Sequence, residues 1–384
     1  MQKKWLIRLF FSFLLLEYSW AEGVLVSLYG YSVDLPPGWV VLDAKDPNLV
    51  SFTDAERKAV FQIAVFPGDR FATATDILSF AKEKFKARGD AAPFLFNGLD
   101  ATLADYTFMA GKYKARGYFV GIQGESLDYL LTAFASEPSY GEYHDFLLSL
   151  LDSFSPGEES RNAPGPISQF YREFPDPQLV RKEILVDGTK LYVEVGSGEI
   201  EANSVVIERE ARILAKYSRN PSIFPEAWKR YYQLIFRDTH LRLKPLAETL
   251  LSYYTKKGIP RDQYPGALLS WIQGFSYTRK STLSDLASPL EIALGATGDC
   301  DGRALLYVAI LRHWGFDAIL LVSHTYQHAM AAVDVGGQGA RFSFEGKGYL
   351  VAELTDRVAL GLINKSMADP SHWIAVAFQG EIKP

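Results

Sequence analysis

The sequence predicts an α+β chain in two domains, each a sheet covered by helices. Three observations carry this. The chain has 384 residues, more than one hydrophobic core usually organises. Hydrophobic residues make up 48% and aromatic residues 14%, enough for two cores and far from the profile of a disordered chain or a coiled coil. Runs of period two are interspersed with amphipathic helical runs, and a polar, turn-forming stretch divides them near 155–166.

The first 21 residues read as a signal peptide. Lys3, Lys4 and Arg8 precede the apolar run Leu9–Leu16, and Ser19-Trp20-Ala21 offers small residues for cleavage after Ala21. The run is too short to span a bilayer, and no other stretch approaches the ~20 apolar residues a membrane helix needs. An uncleaved anchor is the alternative reading. No cysteine lies near the cut, so a lipid anchor on that side chain is excluded. The expected protein is exported, periplasmic or extracellular, and not transmembrane after cleavage.

Residues 22–155 form the first expected domain. Tyr31–Leu35 alternates like a strand and stops at Pro36-Pro37-Gly38, and Val60–Phe66 is a second strand ended by Pro67-Gly68. Thr75 is the expected cap of a helix whose apolar side is Ile77, Leu78, Ala81 and Phe85, with Gly89 at its end. Strand-like runs follow at Ala101–Met109, Gly117–Gln123 and Tyr129–Ser136. Tyr143, Phe146, Leu147, Leu150, Leu151 and Phe154 then make one helical stripe. His144 and Asp145 fall beside that stripe and read as surface residues.

Residues 156–170 are the expected linker and 171–384 the second domain. Glu183–Val186 and Thr189–Val195 flank Asp187-Gly188, a favoured hairpin turn pair. Helices are expected over Ile207–Tyr217 and Pro225–Leu241, with Pro225 in a first turn and Pro245 a break. Another helix ends near Tyr253, Tyr254, Lys256 and Lys257.

The chemistry gathers further on. The chain has one cysteine, Cys300, and an exported protein meets a compartment where cysteines usually pair. An inert buried thiol and an intermolecular disulfide are the plain readings. Its setting argues for more. Gly298-Asp299-Cys300-Asp301-Gly302-Arg303 leads into Ala304, Leu305, Val308, Ala309 and Arg312, a helix opening near Cys300 and stopped by Gly315. Unsatisfied N–H groups at a helix start favour thiolate, whereas Asp299 and Asp301 disfavour it, so a cationic partner is required. Phe316–Val322, Gln327–Val335, Arg341–Phe344 and Tyr349–Thr355 read as strands. If they neighbour one another in one sheet, His328 and Glu353 lie side by side, and the sheet edge can receive Cys300. Thiol, imidazole and carboxylate are the set that acyl transfer by a nucleophile requires.

Two resemblances follow. The order of elements in 22–155, with Leu35-Pro36-Pro37-Gly38-Trp39 after the first strand, resembles the PsbP-like fold; no catalytic constellation stands in this stretch, so a binding or positioning module is expected. In the second domain, Ser288-Pro289-Leu290-Glu291, Gly298–Gly302, Leu311–Gly315, Gln327-His328-Ala329-Met330 and Val351–Thr355 resemble the bacterial transglutaminase-like superfamily, over about Leu268 to Thr355. That likeness implies a papain-like fold with Cys300 as nucleophile, His328 as general base and acid, and Glu353 orienting, where most members have Asp. Gln273, in the segment Trp271–Tyr277, is the candidate oxyanion donor, its alternative being an ordinary helix-face glutamine.

Other chemistries find no support in the pattern. His324 and His328 are four apart in a strand-like region, with no zinc spacing, so no metal is expected. Gly336–Gly339 is a turn without the Lys-Ser/Thr of a phosphate loop, and no cofactor is expected. His313 reads as a charge partner of a helix C-terminus. A net charge of −5 and pI near 5.8 exclude a basic nucleic-acid surface. The expected partner is a protein or peptide substrate, attacked at an amide or peptide bond by a cysteine peptidase or amidase, or crosslinked by a transglutaminase. The alternative is a non-catalytic protein- or envelope-binding module on the same fold.

Overall fold

Which face of each strand is buried follows from the alternation of its side chains, and two helix-covered sheets result. The computed structural model describes residues 17–18 and 24–378. Apart from Glu17 and Tyr18, the expected signal peptide lies outside the described residues.

In the front half, β1 (Glu17–Tyr18), β2 (Val24–Val26) and β3 (Ser32–Asp34) form a small antiparallel sheet. The next strands are β4 (Val40–Asp46), β5 (Leu49–Thr53), β6 (Ala59–Pro67), β7 (Arg88–Phe96), β8 (Leu99–Ala110), β9 (Tyr113–Ile122) and β10 (Leu127–Ser136). They make one seven-stranded sheet in the order β4-β5-β6-β10-β9-β8-β7. Helix α1 (Ala74–Phe85) covers one face, burying Ile77 and Leu78 with Tyr106, Phe108 and Phe119. Helix α2 (Tyr140–Asp152) covers the other, burying Phe146, Leu147 and Leu150 with Phe52, Phe61 and Leu131.

Two boundaries of α1 differ from the sequence expectation. Thr73, not Thr75, is its cap: Thr73 Oγ1 accepts the Asp76 N–H while Asp76 accepts the Thr73 N–H, a reciprocal box that the spacing of three allows. The helix ends at Lys86 in a left-handed conformation (φ 50°), and Gly89 already belongs to β7. The expected linker is folded as well. Its short helix α3 (Pro166–Tyr171) is headed by the Asp152 carboxylate, which accepts the Ile167 and Ser168 N–H groups at 2.7 and 3.0 Å.

The back half opens with the hairpin β11 (Leu179–Val186) and β12 (Thr189–Gly196), turned on Asp187 and Gly188 at φ 49° and 77°. Four helices follow: α4 (Glu199–Tyr217), α5 (Phe224–His240), α6 (Lys244–Lys256) and α7 (Tyr264–Gln273). Pro225 and Pro245 sit in the first turns of α5 and α6, where a missing N–H costs little. Short strands β13 (Ser276–Tyr277) and β14 (Thr297–Gly298) flank α8 (Pro289–Gly295), and β14 leads directly into α9 (Cys300–His313). The last strands are β15 (Ala318–Ser323), β16 (His328–Val333), β17 (Arg341–Phe344), β18 (Lys347–Ala352) and β19 (Ile374–Val376). They form an antiparallel sheet in the order β17-β18-β16-β15-β19. Ala318, Leu320 and Val322 share a core with Ala329, Ala331, Val333 and α9, while Ile319, Leu321 and Met330 pack with Tyr349 and Trp373 on the other face. Period two is thus obeyed on both strands that lead to the site.

A buried polar seam joins the halves. Arg230 of α5 donates to Asp34 Oδ1 and to Ser149 Oγ, each at 3.0 Å. Arg209 of α4 donates to Asp152 Oδ2 at 2.6 Å, and Arg237 donates to the Ser153 and Phe154 carbonyls. Ile213, Tyr217 and Ala227 of the back half lie in the front core.

Candidate active site

Gly298-Asp299-Cys300-Asp301-Gly302 converts a strand into a helix within a few residues. Asp299 is extended (φ −87°, ψ −176°), and its Oδ1 accepts the Gly302 N–H at 2.9 Å, so it caps α9 and leaves Cys300 as the first helical residue. A Cβ on Gly302 would stand 2.1 Å from Ile292 Cδ1, so any larger residue there would push the Ile292 side chain of α8 aside. Arg303, 1% exposed, ties the surroundings together by donating to the carbonyls of Gly298, Phe275 and Leu354.

His328 opens β16 opposite Ser323. Antiparallel pairing of β16 with β18, Ala331 facing Ala352, carries Glu353 to the same end of the sheet. His328 Nε2 and Glu353 Oε2 are 2.7 Å apart. The other carboxylate oxygen accepts the Thr355 N–H at 2.8 Å and its hydroxyl at 2.6 Å. Burial pushes the Glu353 carboxyl up, but the His328 contact and the two Thr355 bonds outweigh it and hold the group below its ordinary range. An ionised Glu353 favours a proton on Nε2, which leaves the Nδ1 lone pair as the basic face of the ring.

Cys300 is a free thiol, 3% exposed. The Ala329 N–H, one residue past His328, points toward its sulfur and favours the anion. The opposing influences are stronger: burial first, then the Asp301 charge and hydrogen bond, then Asp299, push the thiol up to about 12. Sγ donates to Asp301 Oδ1 at 3.2 Å. Asp299 is itself pushed up to about 7, by burial and then by Asp301. The expectation that a helix start favours thiolate is therefore offset, first by burial and then by the two carboxylates flanking it.

Gln273 requires a correction. Its amide donates to the carbonyls of Glu353 at 2.7 Å and Val358 at 2.9 Å, so both N–H bonds are spent on fixing the loop after β18 and none is aimed at an oxyanion. His313 is also different from its expected role as a charged helix-end partner. It is stacked on His240 at 3.8 Å and burial pushes its pKa down, so it is held neutral. His324 is exposed and faces the Trp228 ring instead of joining His328 at a metal. Among the described residues no group of three or more His, Cys, Asp or Glu side chains could hold a metal ion. His144 bonds the Tyr118 hydroxyl and Asp145 pairs with Arg212.

Four site residues escape a reading of the sequence. Thr355, Arg303, Tyr232 and Trp373 act on Glu353, the backbone, Asp301 and the His328 ring respectively. Only Thr355, two residues from the carboxylate it orients, lies close enough in sequence to have been proposed.

No protein-family model matches the chain, and no curated protein matches it. Among solved structures, the N-terminal part is similar to cyanobacterial PsbP (CyanoP) from Synechocystis sp. PCC 6803, at 18% identity over 34% of this chain and 90% of that one, with a TM-score of 0.30. The chain is similar to a Bacteroides thetaiotaomicron VPI-5482 protein at 9% identity over 85% of this chain and 88% of that one, TM-score 0.28. It is similar to a Cytophaga hutchinsonii protein described as a "Putative Cysteine Protease" at 12% identity over 89% of this chain and 71% of that one, TM-score 0.24. Among the described residues no helix is long and apolar enough to cross a membrane.

Proposed function

We propose that the protein is an exported thiol acyl-transfer enzyme of the transglutaminase-like kind, with a Cys300-His328-Glu353 triad acting on amide or peptide bonds. The observation that carries this is the 2.7 Å contact between His328 Nε2 and Glu353 Oε2, at the sheet end where Cys300 heads its helix. Glu353 holds the imidazole with Nε2–H toward itself. Nδ1 takes the Cys300 proton, and the thiolate attacks the substrate carbonyl. The Cys300 backbone N–H, at a helix start, faces the developing oxyanion. His328 then returns its proton to the leaving amine, and a thioester remains. Water resolves it to an acid, as in a peptidase or amidase; a second amine resolves it to a new amide, as in a transglutaminase. The front half serves as a binding or positioning module.

The test offers both acceptors at once. The full chain is incubated with an unfolded protein and a biotin-labelled primary amine, and mass spectrometry scores new C-termini and incorporated amine. Either product, lost in Cys300→Ala and in His328→Ala, supports the triad. No product from either the wild-type chain or Asp301→Asn, or product that persists in Cys300→Ala, overturns it. A second reading, a non-catalytic protein- or envelope-binding module, is favoured by the 3% exposure of Cys300 and its elevated thiol. It requires partner capture that Cys300→Ala leaves intact.

A further inference from the structure

The nucleophile read above has a second claimant for its proton. Cys300 Sγ donates to Asp301 Oδ1 at 3.2 Å, and the other oxygen, Oδ2, accepts the Tyr232 hydroxyl at 2.5 Å. Tyr232 is 1% exposed on α5 and packs edge-on to Tyr231 at 4.9 Å; the Tyr231 hydroxyl is 2.8 Å from Ser284 Oγ. The Asp301 carboxylate is therefore held from one side by a buried phenol and holds the thiol on the other. A first-turn aspartate has no structural need of this contact, since Asp299 already caps the helix.

The charged and titratable groups around the sulfur leave Asp301 dominant. From the start of α9 come its cap Asp299, Asp301 and Arg303; from α5, Tyr232; from β13, Tyr277; from the segment between β13 and α8, Arg279 and Asp285. On β16 the Ala329 N–H, next in the chain to His328, favours the thiolate, and His328 is bonded to Glu353 just past β18. Arg303 is committed to three carbonyls, and Arg279 donates to the Tyr277 hydroxyl at 3.0 Å. Neither cation bonds the Asp301 carboxylate.

We propose that Asp301, held in place by Tyr232, is a positioning residue that keeps Cys300 in a resting form, with its proton directed to the carboxylate and away from His328. The proposal rests on the reading of Cys300 as nucleophile. Release requires Asp301 to turn from the sulfur or to be neutralised; the S–H bond then breaks, its proton moves to His328 Nδ1, and no further reactant is needed.

The test is the pH profile of Cys300 alkylation by iodoacetamide in the full chain. In Asp301→Asn the inflection moves down by a unit or more and the rate at pH 7 rises roughly ten-fold, the change a one-unit shift produces. Tyr232→Phe, which frees the carboxylate to swing, raises the rate in the same direction by about three-fold, a smaller share of that change. An inflection in Asp301→Asn that coincides with wild type overturns the proposal. If that variant does not fold, Tyr232→Phe decides, and a wild-type rate there overturns it. Adding His328→Ala to Asp301→Asn separates the two ideas. A gain that collapses supports both; a gain that survives intact keeps the restraint and removes His328 as the base.

Discussion

Glu353 shows how a side chain one methylene longer than the expected aspartate can still reach the imidazole. Thr355 bonds one oxygen through its N–H and its hydroxyl, which turns the other toward His328. Glu353→Gln keeps the shape and loses the charge that fixes the Nε2–H tautomer, so turnover in the unfolded-protein assay should fall by roughly 10²–10⁴ with little change in thermal midpoint. A second residue-scale prediction concerns acid. Burial pushes His240 down to about 2 and also lowers His313, on which it stacks. Both imidazoles are neutral in the fold but take protons near 6.5 when unfolded. Their contribution is present above that pH and is lost as pH falls below it. The thermal midpoint should therefore drop between pH 7 and pH 4.5, and the drop should be shallower in His240→Phe. The place of Cys300 at a helix start and the pairing of His328 with Glu353 were legible because each stands at the end of an element with a clear apolar pattern. The opposition of Asp301 to the thiolate was legible too, but its bond to Tyr232 was not: 69 residues separate them, and neither has a local pattern that announces the other.

At the scale of elements, legibility followed burial. Helix α2 buries one stripe and shows a clear helical period, while β15 and β16, buried on both faces, stand out as apolar runs between turn residues. β4 is exposed along its whole length and β7 nearly so, with Pro93 on an outer strand, and neither shows the alternation that identifies a half-buried strand. β5 has four buried residues in a row after an exposed Leu49, again without alternation. The start of α1 turned on which of two threonines stands three residues before an acidic partner. Thr73→Ala should cost about 1 kcal/mol, read as a lower midpoint in chemical denaturation, while Thr75→Ala should cost less. Thr73 carries the reciprocal bonds; Thr75 instead bonds Thr102 across to β8.

For the molecule as a whole, the buried guanidinium groups of Arg209, Arg230 and Arg237 decide how the halves behave. Arg230 and Asp34 are both almost fully buried, and removing one partner would leave the other charge without compensation in a low-dielectric seam. Arg230→Ala should destabilise by roughly 3–5 kcal/mol, and denaturation of the wild-type chain should be one cooperative transition reported alike by tryptophans in either half. Trp39 in front and Trp271 behind serve as those reporters. The polar stretch 156–170 reads as a flexible connector in sequence because its composition is that of a turn; its anchoring by Asp152 and Gln169 depends on partners that only the folded chain supplies.

The same seam bears on what a nick in the connecting stretch would do. Arg209, Arg230 and Arg237 reach across it to Asp152, Asp34 and the Ser153 and Phe154 carbonyls, so two fragments cut between 156 and 165 should stay bound to each other and elute together in size-exclusion chromatography.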